Sequence, residues 1–152
     1  MIGTGPPMET SHDTELTRRV DALRRAPIFS PLPAASLERV AGDMREVLLP
    51  AGSLLIEART KGSGMYVIEE GSVTVHRRAL QPVELGPGEV VGELALLLPD
   101  GSRTARVQAK TQVRCLALDR ASFRRMMEAE PQLAIALLES AVVRLAELAS
   151  AS

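Results

Sequence analysis

Between two stretches of helical spacing, this chain carries a run of short β-rich segments, each cut off by glycine or proline. The segments are 54–56, 65–68, 72–76, 83–85, 107–109 and 113–118. Pro50, Ala51 and Gly52, then Gly62, Ser63 and Gly64, then Gly86, Pro87 and Gly88 punctuate them. These segments are short strands at close spacing. They predict an antiparallel roll or barrel of the jelly-roll kind. One segment breaks the pattern: 92–98 reads as one or two helical turns in the middle of the β region.

The ends are helical. From Asp13 onward, Leu16, Val20 and Leu23 recur on one face, with Asp13 or Ser11 as cap and Pro27 as stop. A second short helix is expected over 33–44, with Leu37, Val40 and Met44 sharing a face. After Asp119, an expected N-cap, helical spacing returns around Phe123, Met126 and Met127. Pro131 opens a longer helix to about Leu148. Its stripe of Leu133, Leu137, Ala141, Leu145 and Leu148 is widened by Ile135, Leu138 and Val142. Such a face must cover the roll, a ligand or a second copy of the chain. The expected fold is thus α+β, an antiparallel β-roll with helices at both ends and a short helix within it. Residues 1–12 read as a flexible tail and 13–149 as one domain, divided into N-terminal helices (13–45), roll (46–118) and C-terminal helices (119–149).

The helical break carries the chemistry. Gly92 and Glu93 open it, and the first amides of a helix have no partner inside it. They point forward together with the positive end of the helix dipole, which suits a small anion. Gly92 lets a ligand approach the backbone closely. After a turn at Pro99, Asp100, Gly101 and Ser102 comes Arg103, whose guanidinium can hold two phosphate oxygens at once. Glu93 would repel phosphate alone, so it fits a ligand with hydroxyls as well: a sugar phosphate, or a nucleotide with one compact phosphate.

Gly92, Glu93, Leu94, Ala95 and then Arg103, Thr104, Ala105 resemble the phosphate-binding cassette of cyclic-nucleotide-binding domains. The family includes regulatory domains of catabolite-activator proteins, cAMP-dependent protein kinase regulatory subunits and cyclic-nucleotide-gated channels. The resemblance runs in order over about residues 14–149. It includes the helical start around Ala26–Ser30, the strand-like segments 51–56 and 65–75, the turn at 85–89, and the final strands and helix at 107–123.

The resemblance implies a ligand and roles. A 3′,5′-cyclic nucleotide would be held through its phosphate by Arg103 and the amides of Gly92, Glu93, Leu94 and Ala95. Glu93 would accept the ribose 2′-hydroxyl. Thr104 could bond the phosphate or reach a guanine amino group, and Ala105 closes the cassette. Arg144, on a helix that closes over the base in this family, and Val91 are candidates for the base contact. Val91 stands where the family has an aromatic. Arg106 follows Ala105 where Thr or Ser is common, and would either add positive charge near the phosphate or point outward. Arg59 and Thr60 replace a usual glycine–acid pair. Arginine- and alanine-rich, lysine-poor usage suggests a bacterial source with GC-rich DNA, which ranks cyclic AMP ahead of cyclic GMP. The domain is expected to act as a sensor through movement of its last helix, and not as an enzyme. The alternative is a nucleotide-free roll serving as a dimerisation or docking module.

Other classes find little support. At 152 residues and a net charge of −1, there is no basic surplus for nucleic acid. Three aromatics, Phe29, Tyr66 and Phe123, make no stacking platform. His12 and His76 stand alone, so no metal and no cofactor beyond the nucleotide ligand is expected. Gly86, Gly88 and Gly92 are misspaced for a dinucleotide fingerprint. The single cysteine, Cys115, in an alternating strand, reads as a small buried filler in a reducing, cytoplasmic setting. No run is apolar and long enough to span a membrane, and no DNA-reading module follows the last helix. The expected partners are therefore the nucleotide, an effector of unknown identity (a separate protein or a further domain), and a homodimer through the last helix as one way to cover its stripe.

Overall fold

The computed structural model describes residues 7–56, 64–77, 79–93 and 105–151, and only the backbone of 7–13, 144, 148 and 151. Helices α1 (Pro7–Arg25) and α2 (Ala34–Asp43) come first. Strands β1 (Arg45–Leu49), β2 (Leu54–Ile56), β3 (Gly64–Glu70), β4 (Val73–Arg77), β5 (Val83–Leu85), β6 (Val90–Val91), β7 (Ala105–Ala109) and β8 (Val113–Asp119) follow. Helices α3 (Arg120–Ala129) and α4 (Pro131–Ala151) close the order. The strands form two four-stranded antiparallel sheets, β1-β8-β3-β6 and β2-β7-β4-β5. This is the antiparallel β-roll with flanking helices that the punctuated pattern predicts.

Two cores follow from the period-2 alternation of β3 and β8. Met65, Val67, Leu116 and Leu118 turn to one side, against Leu23, Phe29, Leu37, Val40, Phe123, Leu133 and Leu137 of the helices. Ile68, Val113 and Cys115 turn to the other, against Val73, Val75 and Val107 of the second sheet. Cys115 is fully buried there, and burial pushes its thiol up to about 11.

Strands β1 and β6 are absent from the sequence reading. β6 is two residues long, too short to show a period. β1 has exposed Arg45 and Leu48 with half-buried neighbours, which blurs alternation. α1 begins at Pro7, so helix precedes the expected Asp13 start. Proline suits the first helical position, with φ already set and no amide to satisfy. α2 matches the expected second helix, with Pro33 as an extended cap at ψ 159°.

Side chains tie the helices to the roll. Arg19 Nη1 donates to the carbonyls of Ala41 and Met44 at 3.2 and 2.9 Å, serving the open C-terminal end of α2. Ser36 Oγ donates to Glu130 Oε1 at 2.6 Å, and Arg39 pairs with the same carboxylate, linking α2 to the end of α3. Asp119 caps α3 by accepting from the Ser122 amide at 2.8 Å. Alternation from Met65 and Val67 puts Glu69, at a bulge between Ile68 and Glu70, on the helix-facing side of β3, where Arg18 of α1 meets it.

The apolar stripe of α4 divides. Leu133 and Leu137 are buried against the core. Leu138, Val142 and Leu145 are exposed. Among the described residues, only the beginning of the stripe is buried.

Candidate functional site

The turn between β5 and β6 is pinned to β3 by a reciprocal pair of bonds. Ile68 N donates to the Glu89 carbonyl and Gly88 N donates to the Ile68 carbonyl, both at 2.9 Å. β6 then pairs with β3 through Tyr66 with Val91 and Val67 with Val90. This pairing fixes where the chain leaves the sheet. It leaves at Gly92, with φ +86°, a left-handed conformation that costs other residues roughly 1–2 kcal/mol. The next residue, Glu93, is helical and only 3% exposed.

Glu93 lines a cavity of about 1230 Å³ between the roll and α4. Ile28 of the turn between α1 and α2, with Val83, Leu85 and Val90 of the roll, gives it apolar walls. From α4 it is lined by Gln132, Ile135, Ala136, Glu139, Ser140, Val143 and Glu147, spaced by threes and fours as one helix face requires. Apolar walls with a few converging polar groups are the usual make-up of a small-molecule site. The volume is ample for a nucleotide.

Of the residues expected to bind, the structure brings Glu93 to this cavity wall, with Gly92 as the left-handed turn directly before it. Ala105 starts β7 opposite Arg77. Leu94, Ala95, Arg103 and Thr104 lie outside the described residues, as do Arg59 and Thr60. Arg144 lies on α4 next to Val143, which lines the cavity; only its backbone is described. Val91 is 4% exposed and packed between the sheets with Ile68 and Val107, whereas its neighbour Val90 lines the cavity. Arg106 is exposed and paired with His76 in register, on the outer face of the second sheet.

Sequence reasoning missed Arg77, Glu139 and Ser140, all of which line the cavity. Arg77 had a signal: it continues the Val73, Val75 alternation of β4. The two α4 residues needed the helix's placement over the roll. Among the described residues no group of three or more His, Cys, Asp or Glu could hold a metal ion, and no helix is long and apolar enough to cross a membrane.

Residues 46–130 match the family model of the cyclic nucleotide-binding domain. A cyclic nucleotide-gated potassium channel of Mesorhizobium japonicum is 33% identical over 90% of this chain; the match spans 38% of the channel's length. A CRP-like cAMP-activated global transcriptional regulator of Mycobacterium tuberculosis is 28% identical over 82% of this chain and 58% of its own length. The crystal structure of the N-terminal domain of a transcriptional regulator from Streptomyces coelicolor superposes with a TM-score of 0.68 at 34% identity, covering 87% of this chain and 94% of that one. With the two-sheet roll, the glycine–glutamate corner and the cavity beneath the last helix, these likenesses establish that the chain belongs to the cyclic nucleotide-binding domain family.

Proposed function

We propose that this domain binds a 3′,5′-cyclic nucleotide in the cavity between roll and α4, with cyclic AMP preferred over cyclic GMP. The observation that carries the reading is the buried Glu93 at the cavity wall, placed there by the left-handed turn at Gly92. Glu93 accepts the ribose hydroxyl. The amides of Gly92, Glu93, Leu94 and Ala95, with Arg103 and Thr104, hold the cyclic phosphate. Apolar residues of the roll and of α4 enclose the base, with Arg144 as a further contact. The preference for cyclic AMP is supported by the cAMP-activated regulator from Mycobacterium tuberculosis.

The output is the position of α4. Its face lines the cavity, so a bound ligand touches both roll and helix. A ligand shifts such an equilibrium by its difference in affinity for the two helix positions. The domain is a sensor and not an enzyme, and its effector is a partner or a further domain.

Calorimetric titration of cyclic AMP and then cyclic GMP into nucleotide-stripped protein tests the reading, with Arg103→Ala as control. Saturable binding, tighter for cyclic AMP and lost or weakened about a hundredfold in R103A, is expected. A folded protein that binds neither nucleotide overturns it and leaves a docking module.

A further inference from the structure

The described lining of the cavity is rich in acid. Glu89, Glu93, Glu139 and Glu147 face it or stand at its rim, against a single described cation, Arg77. A ligand carrying a phosphate enters this surround at an electrostatic cost unless a positive group lies close to the phosphate.

Arg77 is placed to be that group. It is the last residue of β4, where Val73 and Val75 precede it at spacings of two. Both valines are buried in the core between the sheets. Alternation therefore turns Arg77 to the interior side of the roll, whereas His76 and its register partner Arg106 take the outer side. Arg77 is half-buried, and the ion pairs among the described residues do not include it. An interior-facing guanidinium at the end of a valine row is unfavourable for folding alone. Across the ladder it pairs with Ala105, the first residue of β7. The two strands are about 5 Å apart there, and Ala105 directly follows Arg103 and Thr104. Arg77 lines the cavity beside the hairpin residues Ala79, Leu80, Gln81 and Val83, and on the nucleotide-binding reading the side next to Ala105 is the one that takes the phosphate.

We infer that Arg77 is a second phosphate-binding residue of this site, reaching the cyclic phosphate from β4. This rests on the nucleotide-binding reading above. Arg77 supplies the positive charge that offsets the cavity's carboxylates. Its fork takes phosphate oxygens.

The test is titration of cyclic AMP and cyclic GMP into the unaltered protein, Arg77→Ala, Arg77→Lys and Arg106→Ala, with the melting temperature of each. R77A and R106A change the net charge equally, so a general field effect would weaken both. R77A is expected to lose roughly 10- to 100-fold in affinity, by the same factor for both nucleotides, because the phosphate is common to them. R77K should lose less, since it keeps the charge without the fork, and it serves in place of R77A should the alanine variant fail to fold. R106A should bind as the unaltered protein does. Unchanged affinity in R77A overturns the inference, as does an equal loss in R106A. A loss confined to one nucleotide places Arg77 at the base edge and overturns the phosphate assignment. Absence of binding by the unaltered protein removes the proposed function, and this inference with it.

Discussion

Arg18 Nε of the first helix lies 2.8 Å from Glu69 Oε1, a carboxylate whose side chain is only 2% exposed. Glu69 occupies the bulge of β3, on the side of the strand that carries Met65 and Val67 into the helical core. Arg18 also binds Glu46 of β1, and Arg114 of β8 joins Glu46 at 3.6 Å and Glu70 at 2.9 Å. A charged network thus stands at the margin of an apolar interface. It fixes the register of α1 on the sheet, because the buried acid has its cation in only one placement of the helix.

This network gives stability a pH dependence. Burial raises Glu69 above the ordinary 4.5; Arg18 and Arg114 pull it down, and Glu46 and Glu70 push it up. The folded chain therefore holds this proton more tightly than the unfolded chain does. Stability contributed here falls as pH rises from 4.5 through the raised value. Glu69→Gln has no such proton. The stability gap between the two proteins should shift in favour of E69Q as pH rises through that window. Urea titrations at stepped pH measure it, and a gap independent of pH would refute the assignment.

Asp119 behaves in the opposite sense. The Ser122 amide, donating to its carboxylate, holds it below the ordinary 3.8. Its contribution is present above 3.8 and disappears as pH falls through the lowered value. Asp119→Ala should cost about 1 kcal/mol at neutral pH, with α3 the element that frays. The gap between the two proteins should narrow as pH falls below 3.8.

Cys115 should be chemically silent while the fold is intact. A thiol pushed up to about 11 and fully buried has almost no thiolate at pH 8. Alkylation by iodoacetamide at that pH should proceed only through unfolding, and at the ordinary thiol rate in denaturant. Rapid labelling of the native protein would contradict this placement.

Much of the roll was legible because its strands are short and its turns are marked by glycine and proline. The cap at Asp119 and the burial of Cys115 were legible for the same local reason: each depends on neighbours within a few residues or on strand alternation. The cavity was not. Gly92 and Glu93 announce themselves by backbone chemistry, but Glu139 and Ser140 acquire a role only when α4 is laid over the roll. The facing of Val90 and Val91 was not legible either, because one residue's shift in a strand exchanges faces, and a two-residue strand offers no pattern by which to choose.

The anchor of α4 offers a further test. Leu133 and Leu137 sit in the helical core, whereas Leu138, Val142 and Leu145 do not. Leu137→Ala should destabilise the domain by about 2–5 kcal/mol. Leu145→Ala should change stability by less than about 0.5 kcal/mol in the monomer. Denaturant unfolding at low protein concentration reads both. A large effect of the second variant, growing with concentration, would show that another copy covers the outer stripe.

That division makes α4 a lever. Its short arm is clamped at Leu133 and Leu137, and its long arm runs on to Ala151. Fourteen residues beyond Leu137 amount to roughly 21 Å of helix. A tilt of about 10° at the clamp, the scale of a single side chain repacking, carries the far end through about 4 Å over such an arm. The cavity lies alongside that arm, so under the proposed sensor function an occupant would act near the fulcrum and be read out at the tip.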